Sequence, residues 1–341
     1  MPNVDNVIEI KDLRVEFPTE DGLAVAVDGL SLAIGRGRIV GLVGESGCGK
    51  SVTGLAVLRL LQPPGRIASG SILFKPQPDA ESINLTELLP DSEQLRKIRG
   101  AGISVIFQEP MSSLTPVYTI GDQIAEAILT HKQISKREAR AQAVELLRSV
   151  GVPSPELRAD DYPHQLSGGM RQRALIAMAL SCNPKLLIAD EPTTALDVTV
   201  QAQILELLLE LRESAGLSIL LITHDMGVVA DSADDVVVMY AGVVVESAPV
   251  LSLFKNPLHP YTRGLLLSIP SAGARAGRKL YAVEGTVPDW RSRPIGCLFE
   301  PRCTERIERC KIERPSLRSY GDGHFAACWV REAELGGTYG G

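Results

Sequence analysis

Residues 39–51 read Ile-Val-Gly-Leu-Val-Gly-Glu-Ser-Gly-Cys-Gly-Lys-Ser. The run Ile39–Val43 has the character of a buried strand, and strong helix formers follow over 51–61. A glycine-rich loop between a strand and a helix is the setting in which backbone N–H groups surround a phosphate. Upstream, residues 7–10 and 30–34 have the pattern of short strands. The stretch therefore predicts a nucleotide-binding α/β domain.

The glycine-rich loop offers three kinds of phosphate contact. Its N–H groups at a helix N-terminus can face the β-phosphate, Lys50 adds a positive charge, and the Ser51 hydroxyl can bind Mg²⁺. The alternative is a chance glycine-rich turn, which the strand before it and the helix after it disfavour. We therefore expect ATP and Mg²⁺ as ligands, contacted by Gly44, Ser46, Gly47, Cys48, Gly49, Lys50, Ser51 and Val52.

A second apolar run ends in two acidic residues. Residues 186–189 are Leu-Leu-Ile-Ala, and Asp190 and Glu191 follow. P-loop ATPases hold Mg²⁺ through an aspartate at the tip of such a strand, which makes Asp190 the candidate ligand. Many strands end in acidic residues, so this pattern is weak when taken alone. It becomes specific because it follows the segment Leu-Ser-Gly-Gly-Met-Arg-Gln-Arg at 166–173.

Strand-like and helix-like segments alternate over most of the chain, which indicates an α/β sheet with crossover helices. Helical periodicity dominates between about 110 and 180, which indicates a helical insert. Towards the C-terminus, proline and glycine become more frequent and the apolar periodicity fades. We expect a core domain over 1–256 and a small, irregular, cysteine-rich appendage over 257–341.

The composition excludes several classes of protein. The chain has 341 residues, a formal net charge of −6 and a pI of about 5.5, so charge gives no reason to expect nucleic acid as a partner. No apolar run approaches the roughly 18 residues of a membrane span, and the acidic N-terminus lacks an apolar signal core. We expect a cytosolic protein, in which clustered thiols indicate metal rather than disulfides.

Residues 166–173, Leu-Ser-Gly-Gly-Met-Arg-Gln-Arg, indicate which kind of nucleotide-driven machine this is. The stretch resembles the signature of ATP-binding cassette (ABC) ATPases. The resemblance implies that this segment contacts the γ-phosphate held by a second subunit. It also implies a head-to-tail dimer in which ATP binds at the interface between the two subunits. The residues expected to carry this role are Ser167, Gly168, Gly169 and Gln172.

Other residues follow the same family in chain order. The resemblance makes Glu191 the general base and Gln108 the Q-loop residue, which senses Mg²⁺ and contacts the membrane subunits. His224 resembles the switch histidine at the γ-phosphate, and Asp197 resembles the D-loop aspartate at the dimer interface. Phe17 falls where the family stacks an aromatic ring on adenine, and a packed strand side chain is the alternative.

The segment His259-Pro260-Tyr261-Thr262 resembles the C-terminal motif of oligopeptide and dipeptide importer ATPases, a family that includes nickel importers. Residues 108–116 and 162–165 agree, although Thr115 stands where the family more often has Asn. The resemblance implies an ATP-hydrolysing subunit at the cytoplasmic face of the inner or plasma membrane, with peptide cargo favoured over nickel. The implied partners are a second ATPase, in a heterodimer rather than a homodimer, two transmembrane permease subunits and an extracytoplasmic substrate-binding protein.

Four cysteines lie in the last fifth of the chain: Cys297, Cys303, Cys310 and Cys328. Some members of the same family carry a [4Fe–4S] cluster in this tail, and four thiolates also suit structural zinc. The spacing lacks the Cys-x2-Cys pairing common in zinc sites, which favours iron–sulfur. Free or redox-active thiols are a third reading, and a structural or a regulatory role for the cluster both stay open.

A non-transport ABC ATPase of translation or DNA repair is the competing class. Such proteins usually carry two cassettes in one chain or a long coiled-coil insert. The sequence contains one phosphate loop and no heptad insert, and its acidic balance also argues against that class.

Overall fold

The computed structural model describes residues 5–108, 113–194, 196–269 and 283–336. The chain divides into two compact units, each assembled from separate parts of the sequence. The first unit comprises Met1–Glu9, Ala33–Ile39 and Leu73–Ile222. The second comprises Ile10–Leu32, Val40–Ile72 and Thr223–Gly341.

The strands alternate with helices along most of the chain. In chain order the strands are β1 (Asn6–Thr19), β2 (Gly22–Gly35), β3 (Ile39–Val43), β4 (Arg66–Phe74), β5 (Ile83–Asn84), β6 (Ile103–Ile106), β7 (Leu186–Asp190), β8 (Ser218–Thr223), β9 (Asp235–Tyr240), β10 (Val243–Pro249), β11 (Arg318–Ser319) and β12 (Phe325–Ala326). The helices include α1 (Lys50–Val57), α2 (Glu93–Ile98), α3 (Ile120–His131), α4 (Lys136–Ser149), α5 (Pro155–Arg158), α6 (Gly168–Leu180), α7 (Val198–Ala215), α8 (Met226–Ser232), α9 (Val250–Lys255), α10 (Pro260–Leu267), α11 (Glu308–Ile312) and α12 (Trp329–Gly336).

Parallel strands form the centre of the first unit. β7 pairs in parallel with β6 on one side and with β8 on the other. Every residue of β7 and β8 is buried, as expected for strands covered on both faces by helices. Because parallel strands end at the same edge of a sheet, this arrangement brings the residues that follow β6 and β7 close together.

Four helices of the first unit lie between residues 120 and 180. α3 and α4 are separate because Ser135 begins a new helix with a capping box. The Ser135 hydroxyl accepts a hydrogen bond from the Glu138 N–H, and the Glu138 carboxylate accepts one from the Ser135 N–H at 2.9 Å. The signature segment leads directly into α6, and a 3-10 turn at Pro163–Gln165 precedes it.

The second unit contains parallel and antiparallel strands. β3, which leads into the glycine-rich loop, pairs in parallel with β9, and β10 pairs antiparallel with β9. β12 then pairs antiparallel with β10, with Glu246 opposite Ala326, and β11 pairs with β12.

The expected separate, irregular appendage is therefore not supported. Two tail strands extend a sheet of the core, and the tail falls in the same compact unit as the glycine-rich loop. Strands of two residues carry too few positions to show a period of two, which is why the sequence pattern missed them.

A further sheet has the strand order β2-β1-β4-β5. β1 and β2 each have 14 residues, so the segments predicted at 7–10 and 30–34 are parts of longer strands. In β2, Leu30, Leu32 and Ile34 are buried while Ser31 and Ala33 are exposed, the alternation of a half-buried strand. In the part of the chain that the structure describes, no helix is long and apolar enough to cross a membrane.

Candidate functional site

The glycine-rich loop joins β3 to α1 in the second unit. Ser46 and Gly47 are exposed at its tip. The Nζ atom of Lys50 donates hydrogen bonds to the carbonyl oxygens of Gly44 at 2.7 Å and Glu45 at 3.0 Å. These bonds hold the ammonium group of Lys50 against the loop, where it can meet the phosphates of a nucleotide.

Two positions in the loop require glycine. Gly44 has φ of 154°, and a Cβ there would lie 2.2 Å from the carbonyl oxygen of Met239. Gly49 has φ of 100°, and a Cβ there would lie 2.4 Å from the carbonyl oxygen of Ala26. The neighbouring backbone therefore approaches the loop too closely for any side chain at either position.

Three predicted ligand-binding residues at the start of α1 differ in how far they are buried. Cys48 is buried, and burial raises the pKa of its thiol, so its side chain packs inside the loop. Ser51 and Val52 are half-buried in the first turn of α1. A hydroxyl at this place is the type of oxygen donor that Mg²⁺ uses.

Phe17 lies on β1 and is half-buried. Its ring packs closely on Gly65, where an added Cβ would lie 2.4 Å from a ring carbon. This contact fits the packed-strand alternative, and the adenine-stacking role of Phe17 stays a prediction.

Glu191 lies where β7 ends in the first unit, directly after the buried Asp190. Its backbone has a φ of 47°, and its N–H donates to the carbonyl oxygen of Ile222 at 2.8 Å. The Oε2 atom of Glu191 accepts a hydrogen bond from the Nε2 atom of Gln108 at 2.8 Å and another from the Thr194 hydroxyl at 2.8 Å. Two neutral donors thus orient a carboxylate that can polarise a water molecule. Thr194 was not predicted.

Gln108 follows β6, and its side chain is exposed. Residues 109–112, which belong to the family-like segment 108–116, lie outside the described residues. Ala195, which lies two residues before the predicted D-loop aspartate Asp197, also lies outside them. The prediction that Gln108 contacts membrane subunits is not tested by this geometry.

The signature residues lie at the N-terminus of α6. Ser167 caps this helix, and its hydroxyl accepts a hydrogen bond from the Met170 N–H at 3.3 Å. Ser167 and Gly168 are exposed. A Cβ on Gly169 would lie 2.7 Å from the side chain of Val200, so the glycine permits close packing against α7. An exposed helix N-terminus of this kind suits a phosphate.

The predicted D-loop aspartate, Asp197, follows Leu196, whose side chain would lie 3.6 Å from a Cβ added to Gly168. It is exposed and caps α7 by accepting a hydrogen bond from the Val200 N–H at 3.0 Å. Gln172, by contrast, is buried, and among the described residues its Nε2 atom has no hydrogen-bond partner. The first unit therefore presents Ser167, Gly168 and Asp197 on its surface, whereas Gln172 lies within the protein.

His224 follows β8 and is exposed. The next residue, Asp225, caps α8 by accepting hydrogen bonds from the N–H groups of Gly227 and Val228. His224 belongs to the second unit, as do the glycine-rich loop and Phe17, whereas Gln108, Asp190, Glu191 and the signature belong to the first.

Two residues from the C-terminal region contact the glycine-rich loop, and neither contact was predicted. The N–H of Glu45 donates to the hydroxyl of Tyr261 at 2.9 Å. Arg302 donates two hydrogen bonds to the Glu45 carboxylate, at 2.7 and 3.0 Å. Tyr261 was noticed as part of a motif, but no sequence pattern indicates Arg302.

The fully buried Glu246 on β10 connects this region to the sheet. Its carboxylate accepts hydrogen bonds from the N–H groups of Leu258 at 2.7 Å and His259 at 2.8 Å, and lies 2.7 Å from the Nε2 atom of His324. Burial works to raise the pKa of Glu246, but the hydrogen bonds, led by that of His324, lower it overall. Glu246 thus anchors both the His-Pro-Tyr-Thr segment and the tail.

None of the four tail cysteines, all of which the structure describes, forms a disulfide bond. The Cys297 N–H donates to the carbonyl oxygen of Cys310 at 2.8 Å. Burial, with a smaller contribution from the neighbouring thiols, raises the pKa of Cys297 to about 12 and that of Cys303 to about 11. Within the described ranges, however, no group of three or more His, Cys, Asp or Glu side chains is arranged to hold a metal ion. The thiols gather in one region, but the expected metal centre is not supported by their geometry.

Two family models match two separate regions of the chain. Residues 27–194 match the family model described as ABC transporter. Residues 245–310 match the model described as the C-terminal region of oligopeptide/dipeptide transporters. The ATP-binding cassette MJ0796, solved as a dimer with ADP and phosphate bound, is 28% identical, with a TM-score of 0.62 over 71% of this chain and 98% of that one.

Two curated relatives extend over nearly the whole chain. The oligopeptide transport ATP-binding protein AppD of Bacillus subtilis (strain 168) is 50% identical, over 97% of this chain and 98% of that protein. The dipeptide transport ATP-binding protein DppD of Haemophilus influenzae is 47% identical, over 92% of this chain and 93% of that protein. The chain therefore belongs to the ABC transporter ATPases that carry the oligopeptide/dipeptide transporter C-terminal region.

Proposed function

We propose that this chain is the ATP-hydrolysing subunit of a membrane importer of di- or oligopeptides. The observation that carries the proposal is the Glu191 carboxylate at the end of β7, oriented by Gln108 and Thr194. Relatives that match over almost their full length are named for oligopeptide and dipeptide transport, which supports peptides as the cargo.

In the proposed reaction Glu191 accepts a proton from the attacking water, and the oxygen of that water forms a bond to the γ-phosphorus of ATP. The bond from that phosphorus to the bridging oxygen breaks, and ADP and phosphate leave. Lys50 compensates charge on the phosphates, and His224 is proposed to contact the γ-phosphate. The Ser51 hydroxyl and the Asp190 carboxylate are the oxygen donors proposed to hold Mg²⁺, which neutralises phosphate charge when bound.

We also propose that the exposed Ser167, Gly168 and Asp197 contact a second ATPase subunit. That subunit is proposed to be a related chain rather than a copy of this one. The remaining partners in the proposal are two transmembrane permease subunits and an extracytoplasmic substrate-binding protein. The assembly would place this chain at the cytoplasmic face of the membrane, with Gln108 near the permease.

The domain boundaries remain part of the proposal. We place a nucleotide-binding domain at 1–256, with its helical subdomain at about 110–180, and a transporter-type C-terminal domain at 257–341. The helices α3 to α6 support the helical subdomain, and the family match over 245–310 supports a distinct C-terminal region, although the match begins before residue 257.

A [4Fe–4S] cluster, or alternatively zinc, on the four cysteines is a separate proposal that no step of the reaction requires. It is supported by the four cysteines of the tail and by the 2.8 Å hydrogen bond from the Cys297 N–H to the carbonyl oxygen of Cys310, although the described side chains are not arranged as metal ligands. Anaerobic purification followed by iron, sulfide and zinc analysis tests it, with Cys303→Ser as the matched variant. Loss of the metal and increased proteolysis of the tail in the variant are expected. Metal-free wild-type protein with an equally resistant tail would exclude the cluster.

Cargo is tested by uptake in cells lacking this gene. Labelled dipeptide, pentapeptide and nickel are offered to cells complemented with the wild type or with Lys50→Ala. Restoration of peptide uptake by the wild type alone is expected, and the preferred length identifies the cargo class. Restoration of nickel uptake alone would contradict the peptide assignment.

A further inference from the structure

We propose that Tyr261 and Arg302 are positioning residues that hold the glycine-rich loop in its nucleotide-binding conformation. Through them the C-terminal region sets the affinity of the loop for ATP. The inference rests on the proposed ATP-binding role of this loop, and it adds a function for the C-terminal region within the second unit.

Glu45 is held at three places. Its N–H donates to the Tyr261 hydroxyl at 2.9 Å, and its carboxylate accepts two hydrogen bonds from Arg302. Its carbonyl oxygen accepts a hydrogen bond from the Nζ atom of Lys50 at 3.0 Å. Glu45 therefore links the side chain that meets the phosphates to two side chains of the C-terminal region.

Tyr261 is fixed by its surroundings. It is fully buried, and its ring packs against Tyr240 and Phe299 with centroid distances of 4.8 and 5.4 Å. Burial raises the pKa of the Tyr261 hydroxyl, so the group stays neutral and accepts the Glu45 N–H without adding charge beside the loop. The packed ring of Tyr261 thus holds its hydroxyl oxygen in place to accept the hydrogen bond from the Glu45 N–H.

Arg302 is fixed from the tail. Its side chain is 5% exposed and also donates to the carbonyl oxygens of Val283 and Glu284, each at 2.9 Å. Its guanidinium group lies 6.0 Å from the ring centre of Phe299. A bidentate arginine–carboxylate pair has a fixed geometry, so a displacement of these tail residues is transmitted to Glu45.

The contacts act on binding rather than on the chemical step. A preorganised loop has less conformational freedom to lose when it surrounds a phosphate, so releasing Glu45 weakens ATP binding. The proposed general base, Glu191, belongs to the other unit, where Gln108 and Thr194 donate hydrogen bonds to its carboxylate. Substitutions at Tyr261 or Arg302 should therefore raise the Kd and KM for ATP while kcat stays close to that of the wild type.

The test is equilibrium binding of radiolabelled ATP with Mg²⁺ to the full-length protein. Tyr261→Phe removes only the hydroxyl, and an increase in Kd of about three- to tenfold is expected for one lost hydrogen bond. Tyr240→Phe is the matched control, because its hydroxyl lies 3.4 Å from Arg302 and the ring packing is retained. Its Kd should stay within about twofold of the wild type, given how weak such a long contact is.

A double-mutant cycle gives a second, independent readout. Arg302→Lys should weaken ATP binding in the wild-type background but have no further effect once Glu45→Ala has removed the carboxylate. This cycle also decides the question if Tyr261→Phe fails to fold. Wild-type affinity in both Tyr261→Phe and Arg302→Lys, or equal losses in Tyr240→Phe, would overturn the inference. A wild type that binds no ATP would instead contradict the proposed function.

Discussion

The side-chain amide of Gln108 donates a 2.8 Å hydrogen bond to the carboxylate of Glu191. These residues are far apart in the sequence, and parallel pairing of β6 with β7 brings them together. Thr194 donates to the same carboxylate oxygen from the turn that follows. Gln108, which is expected to contact the permease, is therefore hydrogen-bonded to Glu191, the proposed general base. A movement of the permease that displaces Gln108 would change the orientation of the Glu191 carboxylate.

Glu191→Gln should abolish turnover while leaving ATP bound. An amide cannot accept the proton of the attacking water, so kcat is expected to fall by about 10²- to 10⁴-fold. ATP-dependent complexes with the related ATPase subunit should accumulate, which gel filtration of the co-expressed pair with ATP and Mg²⁺ can detect. Glu206→Gln, on the exposed face of α7, is the control and should turn over normally. Rapid turnover by Glu191→Gln would remove its assignment as the base.

Thr194→Val should slow hydrolysis without weakening ATP binding. The substitution keeps the shape of the side chain but removes a donor to a charged carboxylate, a bond worth about 1.5–3 kcal/mol. Because Glu191 then samples more orientations, kcat should fall by about tenfold at constant Kd for ATP. Thr193→Val provides the control in the same turn. If both variants hydrolyse ATP at the wild-type rate, the hydroxyl of Thr194 does not orient the base.

Glu246→Ala should destabilise the second unit. The change leaves the buried N–H groups of Leu258 and His259 without their acceptor, at a cost of about 3 kcal/mol or more. We expect a lower midpoint in denaturant and earlier proteolysis of the tail. Ser247→Ala, the next residue on β10, should have little effect. Equal stability of the two variants would show that Glu246 does not anchor the tail.

The stability of the second unit should fall between pH 6.5 and about 4 because of His259. Burial is the largest cause that lowers the pKa of this histidine to about 4, among charges from Glu246, Arg263, Glu305 and Arg331. The unfolded chain binds a proton near pH 6.5 and the folded chain does not, so the free energy of unfolding decreases as the pH falls. The slope should reach at most about 1.4 kcal/mol per pH unit.

His259→Asn tests that pH dependence. Asparagine can still accept the Tyr261 N–H as a helix cap, but it has no proton to gain. Denaturant midpoints at pH 7 and pH 5.5 should therefore differ less in the variant than in the wild type. An identical pH dependence in the two proteins would exclude His259 as its source.

The sequence predicted the central elements because their patterns are strong and local. The apolar run Ile39–Val43 and the glycine-rich loop after it form a recognisable local pattern, which predicted a buried strand leading into a phosphate loop. The break between α3 and α4 was not predicted, although Ser135 and Glu138 have the spacing of a capping box. The strand β10 was missed, and so was its pairing with β12, because β12 has only two residues and the paired strands lie far apart in the sequence.

The candidate site was predicted from motifs, and its contacts were not. Residues such as Lys50 and Glu191 belong to recognisable patterns, whereas Thr194 and Arg302 act through hydrogen bonds that depend on the fold. The burial of Gln172 likewise follows from packing of α6 rather than from the signature pattern. Spacing in a sequence could place four cysteines together, but it could not orient their sulfur atoms as ligands.

The central claim is that ATP hydrolysis by this chain drives peptide import. The most direct measurement uses the complex purified with its membrane partners through a tag on this chain and reconstituted into proteoliposomes. Accumulation of labelled peptide and release of phosphate are followed together. With the wild type, both should require ATP and both should be lost in Lys50→Ala and in Glu191→Gln. Peptide accumulation that persists in either variant, or ATP hydrolysis that proceeds with no peptide movement, would contradict the account.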